Sequence, residues 1–153
     1  MKKLLMVASS GGHLEELSQL KNLINKYECC WVTEKNDYQK YDLEEEIKYY
    51  VPQINRRELL FPFKFLYLIV RAWRILLIEK PDCVVTTGAL ISYPFCRIAK
   101  AMGKKVIFIE SFARVKDLSL TGKLLYNHVS MFVVQWPEIA EKYDKAVVGG
   151  GIF

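Results

Sequence analysis

Apolar residues fall along the chain in short unbroken runs separated by amphipathic stretches, and this alternation sets the elements to expect. Leu4 to Ser9 reads as a strand buried on both faces that stops at Ser10-Gly11-Gly12. From His13 to Lys26, Leu14, Leu17, Leu20, Leu23 and Ile24 recur at the spacing of one amphipathic helix. Cys29 to Thr33 is a second apolar strand, Glu34 to Lys48 a charged surface loop with a short helix, and Lys48 to Pro52 a third strand. Phe63 to Lys80 is a long helix ended by Pro81. Asp82 to Thr87 is a strand stopped by Gly88, and Leu90 to Met102 a helix closed by Gly103. Lys105 to Ile109 and Met131 to Gln135 are further strands. A helix begins near Pro137, and Ala146 to Val148 is a last short strand.

Near-continuous apolar strands alternating with helices need both faces of the sheet covered, so the expected fold is α/β: a Rossmann-like, doubly wound parallel sheet. At 153 residues the chain has room for one domain, spanning 1–153. With 52% hydrophobic and 25% charged residues, a disordered or low-complexity chain is excluded. The 22 Lys and Arg against 17 Asp and Glu give a net charge of +5, which suits an anionic partner without pointing to nucleic acid. Cys29, Cys30, Cys83 and Cys96 form no C-x-x-C pair and are expected as reduced thiols. Only His13 and His128 offer imidazole ligands and neither has a spaced partner, so no metal site is expected. No signal peptide is legible at the amino end, and Lys64, Arg71 and Arg74 interrupt the longest apolar stretch, so no membrane span is expected. The abrupt apolar ending, Gly149-Gly150-Gly151-Ile152-Phe153, raises the expectation that another polypeptide completes the fold.

In an open α/β sheet, ligands bind at the carboxyl ends of the strands, and three segments put polar residues or glycines there. Ser9-Ser10-Gly11-Gly12-His13 lets the backbone pass close to a ligand and opens a helix whose start favours an anion; it serves equally as a tight strand-to-helix turn. It lacks both the G-x-G-x-x-G pattern and the Walker lysine. Thr86-Thr87-Gly88 suits a ligand or a plain turn. Glu110-Ser111-Phe112-Ala113-Arg114 offers a carboxylate and a guanidinium that either pair with each other or bind sugar hydroxyls and phosphate. Ser119-Leu120-Thr121-Gly122-Lys123 adds a hydroxyl and a cation.

The long helix is too apolar for an ordinary surface helix. A buried core helix accounts for part of this. Phe61, Phe63, Phe65, Tyr67 and Trp73 with Lys64, Arg71 and Arg74 also describe an interfacial helix, its apolar side in the lipid boundary and its cations on anionic headgroups.

Taken in order, Ser9-Ser10-Gly11-Gly12-His13-Leu14, Thr87-Gly88, Glu110-Ser111-x-Ala113-Arg114, Ser119-x-Thr121-Gly122-Lys123 and Val134-Gln135-Trp136-Pro137-Glu138 span nearly the whole chain. This order resembles the Alg14 family, including bacterial capsule and exopolysaccharide proteins of the PssD/EpsE/CpsF type. The resemblance implies the acceptor-side, amino-terminal half of a split GT-B glycosyltransferase such as the peptidoglycan enzyme MurG. It implies an Alg13-like partner that binds the nucleotide sugar (a UDP-sugar), no cofactor in this chain, and little or no activity alone. The acceptor implied is a lipid-diphosphate-linked saccharide at the cytoplasmic face of a bacterial cell membrane, with the aromatic-basic helix taking up the attachment.

Under that resemblance, Ser9, Ser10, Gly11, Gly12, Thr87, Gly88, Ser111, Arg114, Thr121 and Lys123 are candidates for holding the acceptor and its diphosphate. His13 is the candidate base or diphosphate ligand and Glu110 the competing base or sugar holder. An imidazole at a helix start is expected to be neutral and so able to accept a proton. Gln135, Trp136, Pro137, Ile152 and Phe153 are expected near the partner. Two other readings remain at this level. One is a non-catalytic membrane adaptor that enhances the partner. The other is a nucleotide-binding Rossmann domain with Glu34 at the ribose position, disfavoured by its missing third glycine.

Overall fold

The first apolar run forms strand β1 (Lys3–Val7), and its side chains alternate between two separate cores. Leu5 and Val7 enter one; Leu4, Met6 and Ala8 enter the other. A strand flanked by apolar packing on both sides is buried on both faces, which is why the run shows no polar alternation. The computed structural model describes residues 1–35 and 47–152. The expected loop and short helix over Glu34 to Lys48 therefore lie almost wholly outside the described residues, as does Phe153.

In chain order the elements are β1, α1 (Gly12–Ser18), α2 (Lys21–Lys26), β2 (Glu28–Glu34), β3 (Ile47–Val51), α3 (Phe61–Glu79), β4 (Cys83–Thr86) and α4 (Ser92–Ala101). Then follow β5 (Lys105–Ile109), α5 (Leu120–Leu125), β6 (Met131–Val134), α6 (Pro137–Ala140) and β7 (Ala146–Val148). The strands form one parallel sheet in the order β3-β2-β1-β4-β5-β6-β7. The chain winds outward from β1 to β3, then returns to place β4 on the other side of β1. The carboxyl ends of β1 and β4 therefore flank the point where the winding reverses, the crevice in which such sheets bind ligands.

One face is covered by α3 and α4, whose Leu68, Ala72, Ile75, Leu76, Phe95 and Ala99 pack on Leu5, Val7, Val84, Val106 and Phe108. Burying each such side chain stabilises the fold by about 1.5–3 kcal/mol. On the other face Leu14 and Leu17 of α1 pack with Met6, Trp31 and Val85.

The structure departs from the sequence expectation in two places. The single helix expected over 13–26 is two helices. Gln19 and Leu20 donate to the carbonyls three residues back (Glu16 and Leu17), which tightens and ends α1, and Leu20 takes a non-helical ψ of 48° before α2 starts. The second departure is α5, an unforeseen helix capped by the Ser119 hydroxyl, which accepts from Gly122 N at 3.0 Å.

Candidate functional site at the carboxyl edge of the sheet

The three strand-end segments singled out in the sequence follow β1, β4 and β5, which are neighbours at the centre of the sheet. The fold brings them to one edge. Gly11 adopts φ 91°, ψ −144°, backbone that only glycine enters readily, and so turns the chain from β1 into α1. Gly88, with φ 111°, and Ala89, with φ 68°, make a comparably tight exit from β4.

Two reciprocal hydrogen bonds lock the first segment to the second. Thr87 Oγ1 donates to the His13 carbonyl at 2.5 Å, and His13 Nδ1 lies 2.9 Å from the Thr87 carbonyl. A carbonyl only accepts, so Nδ1 carries the hydrogen and, in the neutral ring, Nε2 is left with its lone pair. Thr87 itself is fully buried and its hydroxyl is occupied by this contact. Thr87 thus orients His13 from behind.

His13 lines a hollow of about 300 Å3 together with Arg56, Ser111, Arg114, Ser119 and Thr121. Arg56 Nη2 stands 3.5 Å from Thr121 Oγ1. Neither Arg56 nor Arg114 has a carboxylate within ion-pair distance among the described residues. A cavity edged by two guanidiniums with no ion pair among the described residues, an imidazole and the Thr121 hydroxyl suits a polyanionic ligand that also carries hydroxyl groups.

Other expected site residues stand elsewhere. Ser9, Ser10, Gly11 and Gly12 form the turn beside the hollow but are not in its wall, and Gly12 faces open space. Lys123 is outside it as well, its ammonium 2.5 Å from Asp117. Gly88 packs against the His13 ring, to which an added Cβ would come within 3.6 Å.

Glu110 is 1% exposed and faces inward. One carboxylate oxygen accepts from Ser111 N at 3.1 Å; the other accepts from Ser119 N at 2.9 Å and from the Ser119 hydroxyl at 3.1 Å. Burial pushes its carboxyl above the ordinary value, and the Ser119 and Ser111 donors and the Arg114 charge pull it partly back. The carboxylate holds the start of α5, and Gly122 is a glycine because a Cβ there would sit 2.2 Å from Glu110 Oε2.

Two residues of the site were not singled out in the sequence. Arg56 comes from the segment between β3 and α3; the adjacent pair Arg56-Arg57 ahead of an aromatic helix was its only signal. Glu16, on α1, is buried beside Leu17, and its Oε1 accepts from the Ser111 hydroxyl at 2.8 Å and from Phe112 N at 3.2 Å. Its Oε2 is buried without a hydrogen-bond partner among the described residues. A carboxylate among the leucines of an apolar face was the signal for it. From the other side the Gln135 amide donates to the Glu110 carbonyl at 3.0 Å, and the Trp136 indole donates to the Phe112 carbonyl at 2.7 Å. Gln135 Oε1 also accepts from Ile152 N at 3.0 Å. Gln135 is therefore buried inside the chain, bridging the site loop to the final segment, while Pro137 is exposed and Ile152 half-buried.

The long helix α3 has two apolar faces. Phe61 stacks on Phe65, whose ring meets Tyr93 of α4, so these two aromatics face the core. Phe63, Leu66, Tyr67, Val70, Trp73 and Leu77 form an exposed stripe at helical spacing on the opposite side. Arg74 is exposed with them, Arg71 is half-buried, and Lys64 is ion-paired to Glu58. No helix among the described residues is long and apolar enough to cross a membrane.

Comparison with known proteins gives a consistent picture. A family model described as "Oligosaccharide biosynthesis protein Alg14 like" matches residues 4–152. The rat UDP-N-acetylglucosamine transferase subunit ALG14 is 34% identical over 177 aligned positions, covering 97% of this chain and 82% of the relative. The human subunit of the same name is 33% identical over the same shares. Among solved structures, MurG of Acinetobacter baumannii superposes with a TM-score of 0.77 at 21% identity, over 99% of this chain and 46% of that one. The chain thus spans about half the length of the solved structure it matches, and the α/β fold expected of a GT-B half is the fold observed.

Proposed function

Since the chain belongs to the Alg14 family of oligosaccharide-biosynthesis proteins, we propose that it is the acceptor-binding half of a two-component sugar transferase that works against a membrane. Its relatives are named as UDP-N-acetylglucosamine transferase subunits, which supports a UDP-sugar as the donor and a second, Alg13-like subunit as the donor's binding site.

The observation that carries this reading is one hollow edged by an orientated imidazole and two guanidiniums that form no ion pair among the described residues. The guanidiniums receive the diphosphate of a lipid-linked saccharide, and the acceptor hydroxyl lies against His13 Nε2. In the transfer, the acceptor oxygen bonds to the anomeric carbon as that carbon's bond to the nucleotide oxygen breaks. The nucleoside diphosphate leaves with the electron pair, and the hydroxyl proton passes to Nε2. Thr121 is placed to hold a sugar hydroxyl, the Ser111 hydroxyl being engaged by Glu16, and Glu110 and Glu16 act as positioning residues for the loop that carries Ser111 and Arg114. The exposed stripe of α3 rests on the anionic cytoplasmic face of the membrane, with Arg71 and Arg74 toward the headgroups. Ile152 and Trp136 lie toward the partner. A bacterial capsule or exopolysaccharide setting remains part of this proposal, which acceptor preference tests.

One observation favours a second reading, a non-catalytic adaptor. The Glu110 carboxylate is fully engaged inside the chain, so among the described residues that line the hollow His13 is the one candidate proton acceptor. The test is sugar transfer from UDP-N-acetylglucosamine to a lipid-diphosphate acceptor by the chain alone, the partner alone and the two together. Transfer is expected only from the pair. Transfer by this chain alone contradicts the two-component reading, and full transfer by the partner alone supports the adaptor.

A further inference from the structure

Gln135 follows β6 and is buried, and both ends of its amide are in use. Nε2 donates to the Glu110 carbonyl at 3.0 Å, and Oε1 accepts from Ile152 N at 3.0 Å. A carbonyl only accepts and a backbone N–H only donates, so one orientation of the amide satisfies both. Each bond leads to a different hollow. Glu110 opens the loop 110–114, which puts Ser111, Ala113 and Arg114 in the wall of the hollow that holds His13. Ile152 belongs to the segment 149–152, which walls a separate hollow of about 320 Å3 together with Leu20, Leu23, Ile109 and Val133. The next residue repeats the hold on the loop. The Trp136 indole donates to the Phe112 carbonyl at 2.7 Å, and the two ring centroids lie 4.8 Å apart. Within the loop, Arg114 N donates to the Ser111 carbonyl at 2.9 Å, which ties the backbone of Arg114 to the part that Gln135 holds.

Away from this link both segments are open: Phe112, Ala113 and Arg114 are exposed, and so are Gly149, Gly150 and Gly151. A buried amide with one end left unpaired is costly, so its two bonds are kept or lost together. Resting on the two-component reading above, in which the partner lies toward Ile152, we infer that Gln135 is the positioning residue that couples partner docking to acceptor binding. A partner seated against 149–152 holds Ile152 N on Oε1. Nε2 then stays on the Glu110 carbonyl, and the loop keeps Ser111 and Arg114 in the wall of the site. Acceptor in the site holds the same link from its other end, so each ligand tightens the other by the same factor. Gln135 is in the wall of neither hollow and acts only through the segments it joins.

The test measures the affinity of the purified chain for the partner subunit, without and with a saturating short-chain polyprenyl diphosphate saccharide. In the wild type the acceptor is expected to tighten partner binding about 10-fold. Gln135→Met keeps the length of the side chain and removes both hydrogen bonds, and the ratio of the two affinities should fall close to one. Ile152→Pro removes only the donor at 152, so it reports on the link even where Gln135→Met does not fold, and the same loss is expected. Tyr126→Phe is the control for lost hydrogen bonds as such. Its hydroxyl bonds Asp144 at 3.0 Å and Lys145 N at 2.7 Å, outside both segments, and its ratio should match the wild type. A purely structural role would lower stability and leave the ratio alone. A ratio that survives Gln135→Met or Ile152→Pro, or that falls equally in Tyr126→Phe, overturns the coupling. Amide hydrogen exchange at residues 112–114 gives a second readout: partner binding should slow it in the wild type and not in Gln135→Met, and slowing in both overturns the link. If the pair transfers no sugar while the ratio still depends on Gln135, the transferase reading fails and the coupling stands. If the pair transfers sugar with a wild-type ratio of one, the coupling fails and the transferase reading stands.

Discussion

The two edges of the sheet treat charge in opposite ways. At the amino edge, Glu79 at the end of α3 is 5% exposed and surrounded by donors: Lys3 of β1 at 2.5 Å, Lys48 of β3 at 2.8 Å, and the Tyr49 hydroxyl. Burial alone would raise its carboxyl, and the hydrogen bonds from Lys3, Lys48 and Tyr49 outweigh that and hold it at about 2. At the carboxyl edge, Arg56 and Arg114 face a hollow and form no ion pair among the described residues, and burial pushes the Glu34 carboxyl up to about 7. Charges neutralised within the chain clamp helix to sheet. Charges left unpaired in a concave place await a ligand from outside.

The largest effect expected is on the carboxyl edge. His13→Ala in the two-subunit complex should lower kcat by about 10²–10⁴-fold, far more than the loss of about 1 kcal/mol in stability expected from its bond to the Thr87 carbonyl accounts for. Unaltered turnover would remove the imidazole from the chemistry and favour the adaptor.

Gly122→Ala carries the next largest effect, a loss of about 2–3 kcal/mol in denaturant unfolding, because the new Cβ drives Glu110 off Ser119. A stable Gly122→Ala variant would show that the Glu110 anchor is dispensable.

Glu79→Ala breaks the clamp at the amino edge and should cost roughly 1–3 kcal/mol at pH 7, with acceptor binding intact. The folded carboxyl titrates below its ordinary value of 4.5, so its contribution is present above about pH 4.5 and is lost as pH falls toward 2. Urea unfolding of wild type and variant across that range should converge at the acid end.

Glu34→Gln has the reverse sign. The folded state keeps a proton that the unfolded chain releases, so wild-type stability falls as pH rises from about 4.5 to 7. The variant should be roughly 1–2 kcal/mol more stable at pH 8 and no different at pH 4.

The smallest effect is at the surface. Replacing Phe63 and Trp73 by serine should weaken binding to anionic vesicles about 10-fold and leave the melting temperature unchanged.

The strands around the site were legible because β1, β4 and β5 are buried on both faces and read as plain apolar runs. Their polar ends followed from the rule for parallel sheets. His13, Ser111 and Arg114 lie at those ends, Thr121 was named through the family resemblance, and the four share one hollow. Arg56 was not, because the segment before α3 has no periodicity and reaches the site only through tertiary folding. The helix α5 was hidden by Gly122, a poor helix former, kept glycine by a carboxylate twelve residues earlier. In α3 the apolar total was plain, but with both faces apolar the sequence did not separate Phe61 and Phe65, which pack inward, from Leu66 and Val70, which stay outside.

The central claim is that the carboxyl edge of this chain, by itself, grips the acceptor. It is tested most directly by titrating the purified chain, without its partner, with a short-chain polyprenyl diphosphate saccharide in a calorimeter. The account predicts saturable binding that pyrophosphate competes away and that Arg56→Ala combined with Arg114→Ala abolishes. Binding that survives the double substitution, or acceptor that binds only the partner subunit, would contradict it.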